Sequence, residues 1–273
     1  TAVSLDEYHV RAHQWLGAIY HDTGAMQLSV QHLRKVAELD STDYRSLRLA
    51  GLIHLEYEKF DDAIVDYRSA LRRKLPPAME LEVRRELADA LREVRQIDEA
   101  LAVIKDCEPT IDILAVRAEC YETNGQVEPA LECTGQALAL DPDHHRANVI
   151  QGRILVAQKD VENALKSLER AVKRDPADHE ARFLLGRALL MAGRADEGQA
   201  EIAASTKQKE RFLTMSKLHL EAMNAPQDEG VRLKLGELAE ALGRPRVAMT
   251  WYRAVLGLAP DNERARAALD RLV

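Results

Sequence analysis

The chain has 273 residues, 46% of them apolar, 30% charged and only 4% aromatic, and its formal net charge is −7. An acidic balance argues against a general nucleic-acid binder, which would show a basic stripe. No stretch approaches the roughly 18 consecutive apolar residues of a membrane span. The apolar share is dominated by Ala, Leu and Val, and the first two are strong helix formers, so the composition points to an all-α chain. Three cysteines, Cys107, Cys120 and Cys133, contain no C-x-x-C pair. An odd count fits a reducing compartment better than a disulfide framework, which favours the cytoplasm. The first residue is Thr1 rather than Met, so a removed signal or anchor stays open, and with it the periplasm.

In chain order, Ser4-Leu5-Asp6-Glu7 reads as a capping box that starts a helix over about 5–22, stopped at Gly24. A second helix follows over about 26–39. From here a pattern can be counted. Small residues fall at Gly17, Gly51, Ala88, Ala118, Gly152, Gly186 and Gly236. Each is followed twelve positions later by another: Ser29, Ala63, Ala100, Ala130, Ala164, Gly198 and Ala248. The physical reading is a pair of antiparallel helices whose backbones approach where side chains are smallest. A fixed period of about 34 residues means a stack of such pairs.

The spacing also marks irregularities. Pro76 and Pro77 break the second joint. The interval from Ala88 to Ala118 is short, so a short helix should end near Cys107. Between Gln199 and Ala225 there is neither Gly nor Pro, which predicts one long helix, or two abutting ones, over about 195–223. Asp261 is placed to cap a closing helix over 263–272 that solvates the end of the stack. The expected division is a single solenoid, 1–273. Its units are 10–43, 44–77, 81–110, 111–144, 145–178, 179–212 and 229–262, with an irregular helix near 209–224.

These units resemble the tetratricopeptide-repeat family. The fifth carries Gly152, Leu155, Ala164, Leu168, Ala171 and Pro176; the seventh carries Gly236, Ala248, Tyr252 and Pro260. The family's early Trp is replaced by His13, Leu47, Asn148 and Arg182. The resemblance implies a right-handed α-solenoid of antiparallel helix pairs with a C-terminal capping helix. It also implies a concave groove, lined by first helices, in which a protein or peptide binds.

Family geometry places Arg146, Val149 and Arg153 of the fifth unit and Phe183, Arg187, Leu190 and Met191 of the sixth on that groove. An apolar floor beside guanidinium forks suits a peptide with both hydrophobic and acidic groups. The plainer alternative is that these arginines pair with Glu180 or other groove acids and bind nothing. The Asn positions of chaperone-tail-binding members hold other residues here, so that clamp is not expected.

No catalytic constellation emerges. His9 and His13 stand four apart on a helix, but Val10, Arg11 and Ala12 between them supply no general base, so structural histidines are the simpler reading. His144 and His145 are adjacent and do not face the same side. The cysteines read as small buried thiols. Acid pairs such as Asp61-Asp62 sit at helix starts, where the dipole favours them. No metal and no cofactor is expected. The leading reading is a non-catalytic, bacterial-type scaffold. The alternatives are a self-assembling structural protein of an envelope or organelle, and the repeat arm of a longer enzyme.

Overall fold

The computed structural model describes residues 8–22 and 25–272. Among them all regular structure is helical, and the chain is an all-α solenoid. It divides into two compact units. One comprises Arg84–Glu210, and the other the residues up to Val83 together with those from Arg211 onward.

The first unit contains α1 (Val10–Asp22), α2 (Met26–Leu39), α3 (Arg45–Glu56) and α4 (Phe60–Leu71). It also contains α13 (Glu229–Ala241), α14 (Pro245–Leu258) and α15 (Glu263–Leu272). The second unit contains α6 (Ile97–Ile104), α7 (Ile111–Thr123), α8 (Val127–Leu140), α9 (His145–Gln158), α10 (Val161–Arg174) and α11 (His179–Met191). The unit limits fall inside α5 (Pro77–Glu93) and α12 (Ala195–Asn224).

The glycines explain how consecutive helices pair. A Cβ added to Gly152 would lie 2.5 Å from the Leu168 side chain, and one added to Gly236 would lie 2.5 Å from Tyr252. The large side chain sixteen positions on therefore fills the hollow that glycine leaves. The twelve-residue partner sits beside it at backbone range. Ser29 Oγ donates to Gly17 O at 2.8 Å, and a Cβ on Gly186 would lie 2.8 Å from Gly198 O. Close approach is thus a knob in a hole as well as small residue against small residue.

The turns within pairs share one device. Gly125, Gly193 and Gly243 have φ of +75°, +79° and +69°. Glu58, Arg95 and Lys159 adopt the same left-handed conformation without glycine, at φ of +56°, +63° and +63°. For an L-residue this costs about 1 kcal/mol. Gly24 and the Ser4–Glu7 capping box lie outside the described residues.

Joints between pairs share another device. Asn148 Nδ2 donates to Pro142 O at 2.9 Å and Arg182 Nε to Pro176 O at 2.7 Å. Arg232 Nη2 donates to Pro226 O at 2.5 Å and Arg266 Nη2 to Pro260 O at 2.6 Å. In each case a side chain one turn into a helix holds the carbonyl of a proline six residues upstream. Tryptophan carries a single N–H donor, whereas Asn148 Nδ2 also reaches His144 O at 3.0 Å and Arg182 Nη1 also reaches Glu201 at 2.6 Å. That second contact gives the substitution of tryptophan at Asn148 and Arg182 a physical reason.

Three boundaries differ from the sequence reading. α1 begins at Val10 after non-helical residues 8 and 9, so the helix expected over 5–22 is not continuous there, and its expected start at Leu5 lies outside the described residues; His9 caps α1, with Ala12 N donating to His9 Nδ1 at 3.2 Å. α15 is capped by Asn262, not Asp261, because Asn262 immediately precedes the helix and its Oδ1 receives Ala265 N at 3.0 Å. α5 starts at Pro77, whose missing N–H falls in the first turn where it costs nothing. α6 has only 8 residues, and Arg117 Nη2 closes its end by donating to the carbonyls of Ile104, Lys105 and Cys107 at 2.7, 3.0 and 3.0 Å.

In the first unit, α12 contributes Met215, Leu218 and Ala222 to a core completed by Leu235, Trp251, Val255 and Ala265. The His219 ring lies 5.6 Å from that of Tyr57 and 5.4 Å from that of Trp251. Burial holds it well below the ordinary imidazole range, at about 4, with the charge of Arg244 adding to the shift.

Candidate binding face of the second unit

The first helices of the pairs in the second unit are joined by an arginine–carboxylate ladder. It starts within α5, where Arg85 Nη1 donates to Asp89 Oδ2 at 3.1 Å. Arg146 Nη2 donates to Asp89 Oδ1 at 2.5 Å and also to Glu119. Arg92 Nε lies 3.0 Å from Glu119 Oε2. Arg153 Nη1 donates to Glu122 Oε2 at 2.5 Å, and its Nε lies 3.0 Å from Glu180 Oε1. Apart from Arg85–Asp89, every rung is a charge-assisted contact between different helices.

The ladder shifts its own acids. Burial alone would raise the Glu119 carboxyl, but the Arg146 hydrogen bond and the charges of Arg146, Arg92 and Arg153 outweigh it and hold it below the usual range. At Glu122 burial wins against Arg153, and the carboxyl is pushed up. Glu119 has the Arg146 hydrogen bond and three guanidinium charges on its side, whereas Glu122 also feels the like charges of Glu119 and Glu180.

These contacts place the groove residues read from sequence in three classes. Arg146 and Arg153 are committed to acids, as the plainer alternative anticipated, and hold helices together. Val149 is only 5% exposed and packs in the core with Val156, Leu184 and Leu185, so it offers no floor to a partner. Phe183, Leu190 and Met191 are 43%, 40% and 41% exposed. Arg187 is exposed and makes no ion pair or hydrogen bond with any described residue. Phe183, Arg187 and Leu190 recur at i, i+4 and i+7, so they form one stripe along α11.

The other residues weighed for chemistry are structural. His13 Nδ1 lies 2.7 Å from His32 Nδ1 rather than facing His9. His144 caps α9 through Ala147 N at 3.4 Å. His145 bridges Ala171 O at 3.0 Å and Asp178 at 2.8 Å, and the Asp178 hydrogen bond raises its pKa. Cys120 is buried and its thiol is pushed up to about 12; Cys107 and Cys133 are partly exposed, less inward than their spacing suggested. No group of three or more metal-ligating side chains occurs among the described residues, and no described helix is long and apolar enough to cross a membrane.

Family models described as tetratricopeptide repeat match residues 10–43, 117–170, 151–206 and 230–262. No curated protein matches the chain. Among solved structures, the APC/C hetero-tetramer Cut9–Hcn1 aligns with a TM-score of 0.60 at 13% identity, over 99% of this chain and 51% of that one. The chain therefore spans about half the length of that relative. The human IFIT1 dimer with PPP-AAAA aligns with a TM-score of 0.53 at 17% identity, over 86% of this chain and 69% of that one. A tetratricopeptide repeat protein from Parabacteroides merdae aligns at 0.46 and 16% identity, over 84% and 98%. At these identities the likeness is one of fold.

Proposed function

The chain belongs to the tetratricopeptide-repeat family, and from that premise we propose that it is a non-catalytic scaffold that holds a peptide or protein segment against α11. A protein-interaction role is the general property of such repeats. The finer reading names the stripe Phe183–Arg187–Leu190 with Met191 beside it as the main contact. The observation that carries it is the contrast among three arginines of the second unit. Arg146 and Arg153 are satisfied by carboxylates, while Arg187 stands exposed between apolar side chains with its guanidinium unspent. A segment that lays an apolar side chain on Phe183 and Leu190 and an acidic group on Arg187 would satisfy both. Arg146 and Arg153 then act as positioning residues that fix the register of the helices. The division of the chain into seven repeats, an inserted helix and a cap is part of this proposal.

The test is a selection of random peptides displayed against the full chain, repeated with Arg187→Glu. Enriched sequences should pair a large apolar residue with Asp or Glu, and the variant should lose them with its helical circular dichroism unchanged. Enrichment of basic or featureless peptides, or equal enrichment on the variant, overturns the reading.

A second reading, self-association, draws on α1, where Trp15 and Ile19 stand four apart and are 70% and 50% exposed. The Cut9–Hcn1 and IFIT1 relatives are themselves found in assemblies. Light scattering over a concentration range decides: growth in mass with concentration that Trp15→Ser abolishes supports it, and a constant monomer mass rejects it.

A further inference from the structure

In the first unit, α2, α3 and the start of α4 enclose a cavity of about 210 Å³. His54 forms part of its wall and is only 8% exposed. The ring is fixed from behind: His54 Nδ1 lies 2.7 Å from Asp66 Oδ2, and Asp66 is 2% exposed. Asp66 does not line the cavity. Its charge is already met by Arg34, whose Nε and Nη2 donate to Oδ1 and Oδ2 at 2.8 and 3.0 Å. The imidazole is therefore not needed as a counter-charge. A carboxylate only accepts, so the neutral ring carries its proton on Nδ1. Nε2 is left as an acceptor, and it makes no hydrogen bond to any described residue.

The rest of the cavity narrows the ligand. Met26, Val30 and Ile53 give it an apolar floor, and a thioether is a good neighbour for an aromatic ring. Arg34 and Lys59 on the rim disfavour a cation, while Asp62 and the Nε2 lone pair disfavour an anion. The volume suits one large side chain. Gln27 and Gln31 stand four apart on the exposed face of α2 at the rim, and each carboxamide offers a donor and an acceptor to a peptide backbone.

We propose that this cavity is a second recognition site, separate from α11, that takes the tyrosine or tryptophan side chain of a peptide, with its O–H or N–H donated to His54 Nε2. His54 is then the residue that reads the polar hydrogen, and the Asp66–Arg34 pair is what sets its tautomer.

The experiment uses the full chain labelled at histidine with ¹⁵N and two probes, N-acetyl-tyrosinamide and N-acetyl-phenylalaninamide. They differ by one hydroxyl. The free protein should show His54 protonated at Nδ1. The tyrosine probe should shift the Nε2 resonance saturably and bind about three- to tenfold more tightly than the phenylalanine probe, the worth of one net hydrogen bond. His54→Phe should bind the two probes equally. Exposed Gln27→Ala with Gln31→Ala should keep the preference while weakening both. Equal binding of the probes to the unaltered chain, a proton on Nε2 in the free state, or a preference that survives His54→Phe would overturn the proposal. The comparison on the unaltered chain stands even where a variant fails to fold.

Discussion

The second unit and the closing helices of the first unit use the same ion-pair spacing with different consequences. Arg146 and Glu119 are 27 residues apart, and so are Arg264 and Glu237. Arg153 and Glu122 are 31 apart, and so are Arg271 and Glu240. These separations are one repeat less two helical turns or one, which brings successive first helices, or the last first helix and α15, side to side. In the second unit the side chains of Arg146 and Glu119 are 28% and 14% exposed, whereas Arg264 and Glu237 are 72% and 43% exposed. The pattern of charges is one thing and their worth another. Burial on a helix flanked on both sides turns a weak surface pair into a structural tie.

The largest expected effect tests that contrast directly. Arg146→Met removes the guanidinium shared by partly buried Asp89 and Glu119, leaving them only Arg85 and Arg92, and should cost about 2–3 kcal/mol in chemical denaturation. Arg264→Met removes a solvated pair and should cost less than about 0.5 kcal/mol. Equal costs would mean that burial does not separate the two regions.

Next in size are the glycines. Gly152→Ala drives a methyl into Leu168 and should cost about 2 kcal/mol. Gly135→Ala, on an exposed helical face with no atom in range, should stabilise by about 0.5–1 kcal/mol. Opposite signs in thermal melts are the expected result, and the same holds for Gly236→Ala against Gly257→Ala in the first unit.

The units should also respond differently to acid. The folded His219 ring titrates at about 4 and the unfolded one near 6.5. Its folded pKa is depressed, so the unfolded chain gains the proton first. Stability is complete above pH 6.5 and is lost as pH falls towards 4, by about 1–2 kcal/mol after discounting for the ring's partial exposure. His219→Leu should remove this part of the pH dependence. Glu119 contributes at lower pH: its carboxyl is held down, so its share is present above the ordinary carboxylate range and is lost only as pH falls through the depressed value. The smallest effect is expected at the turns, where Lys159→Gly should relieve left-handed strain and stabilise by about 0.5–1 kcal/mol.

The fold was legible because close helix packing demands small residues, and Gly152, Ala164 and their counterparts repeat that demand at a fixed period. Helix limits were legible where a residue forbids continuation: the break at Pro76 precedes α5, although Pro77 opens that helix, and the absence of Gly and Pro lets α12 run for 30 residues. The capping residue of α15 was misjudged by one place, since Asp261 and Asn262 are equally good caps and only the chain path chooses. The candidate face was half legible. α11 presents Phe183, Arg187 and Leu190 outward, but Val149 points into the core, because a first helix has neighbours on several sides and one apolar position looks like another. Arg153 could not be told from Arg187 by type. The distinction lay in Glu122, 31 residues upstream, and Glu180, 27 downstream, a spacing that a search for charge pairs at one repeat less one or two turns would find. At the two offsets that serve Arg153, Arg187 has Val156 and Thr214; Asp160 does stand 27 upstream of it but caps α10, accepting from Asn163 N at 3.3 Å, so spacing alone would not have told Arg187 from Arg153. The His54–Asp66–Arg34 cluster gave no signal, since Asp66 stands 12 and 32 residues from the other two and no motif links them.

The central claim is that α11 holds a partner through Arg187 and its apolar neighbours, while the other arginines hold the protein together. The most direct measurement is the affinity of a peptide selected on the full chain for three proteins: unaltered, Arg187→Glu and Arg264→Glu. A loss of about tenfold or more, equivalent to about 1.4 kcal/mol or above, is predicted for Arg187→Glu, with less than about twofold for Arg264→Glu. Equal affinities for all three, with folding intact, would contradict it.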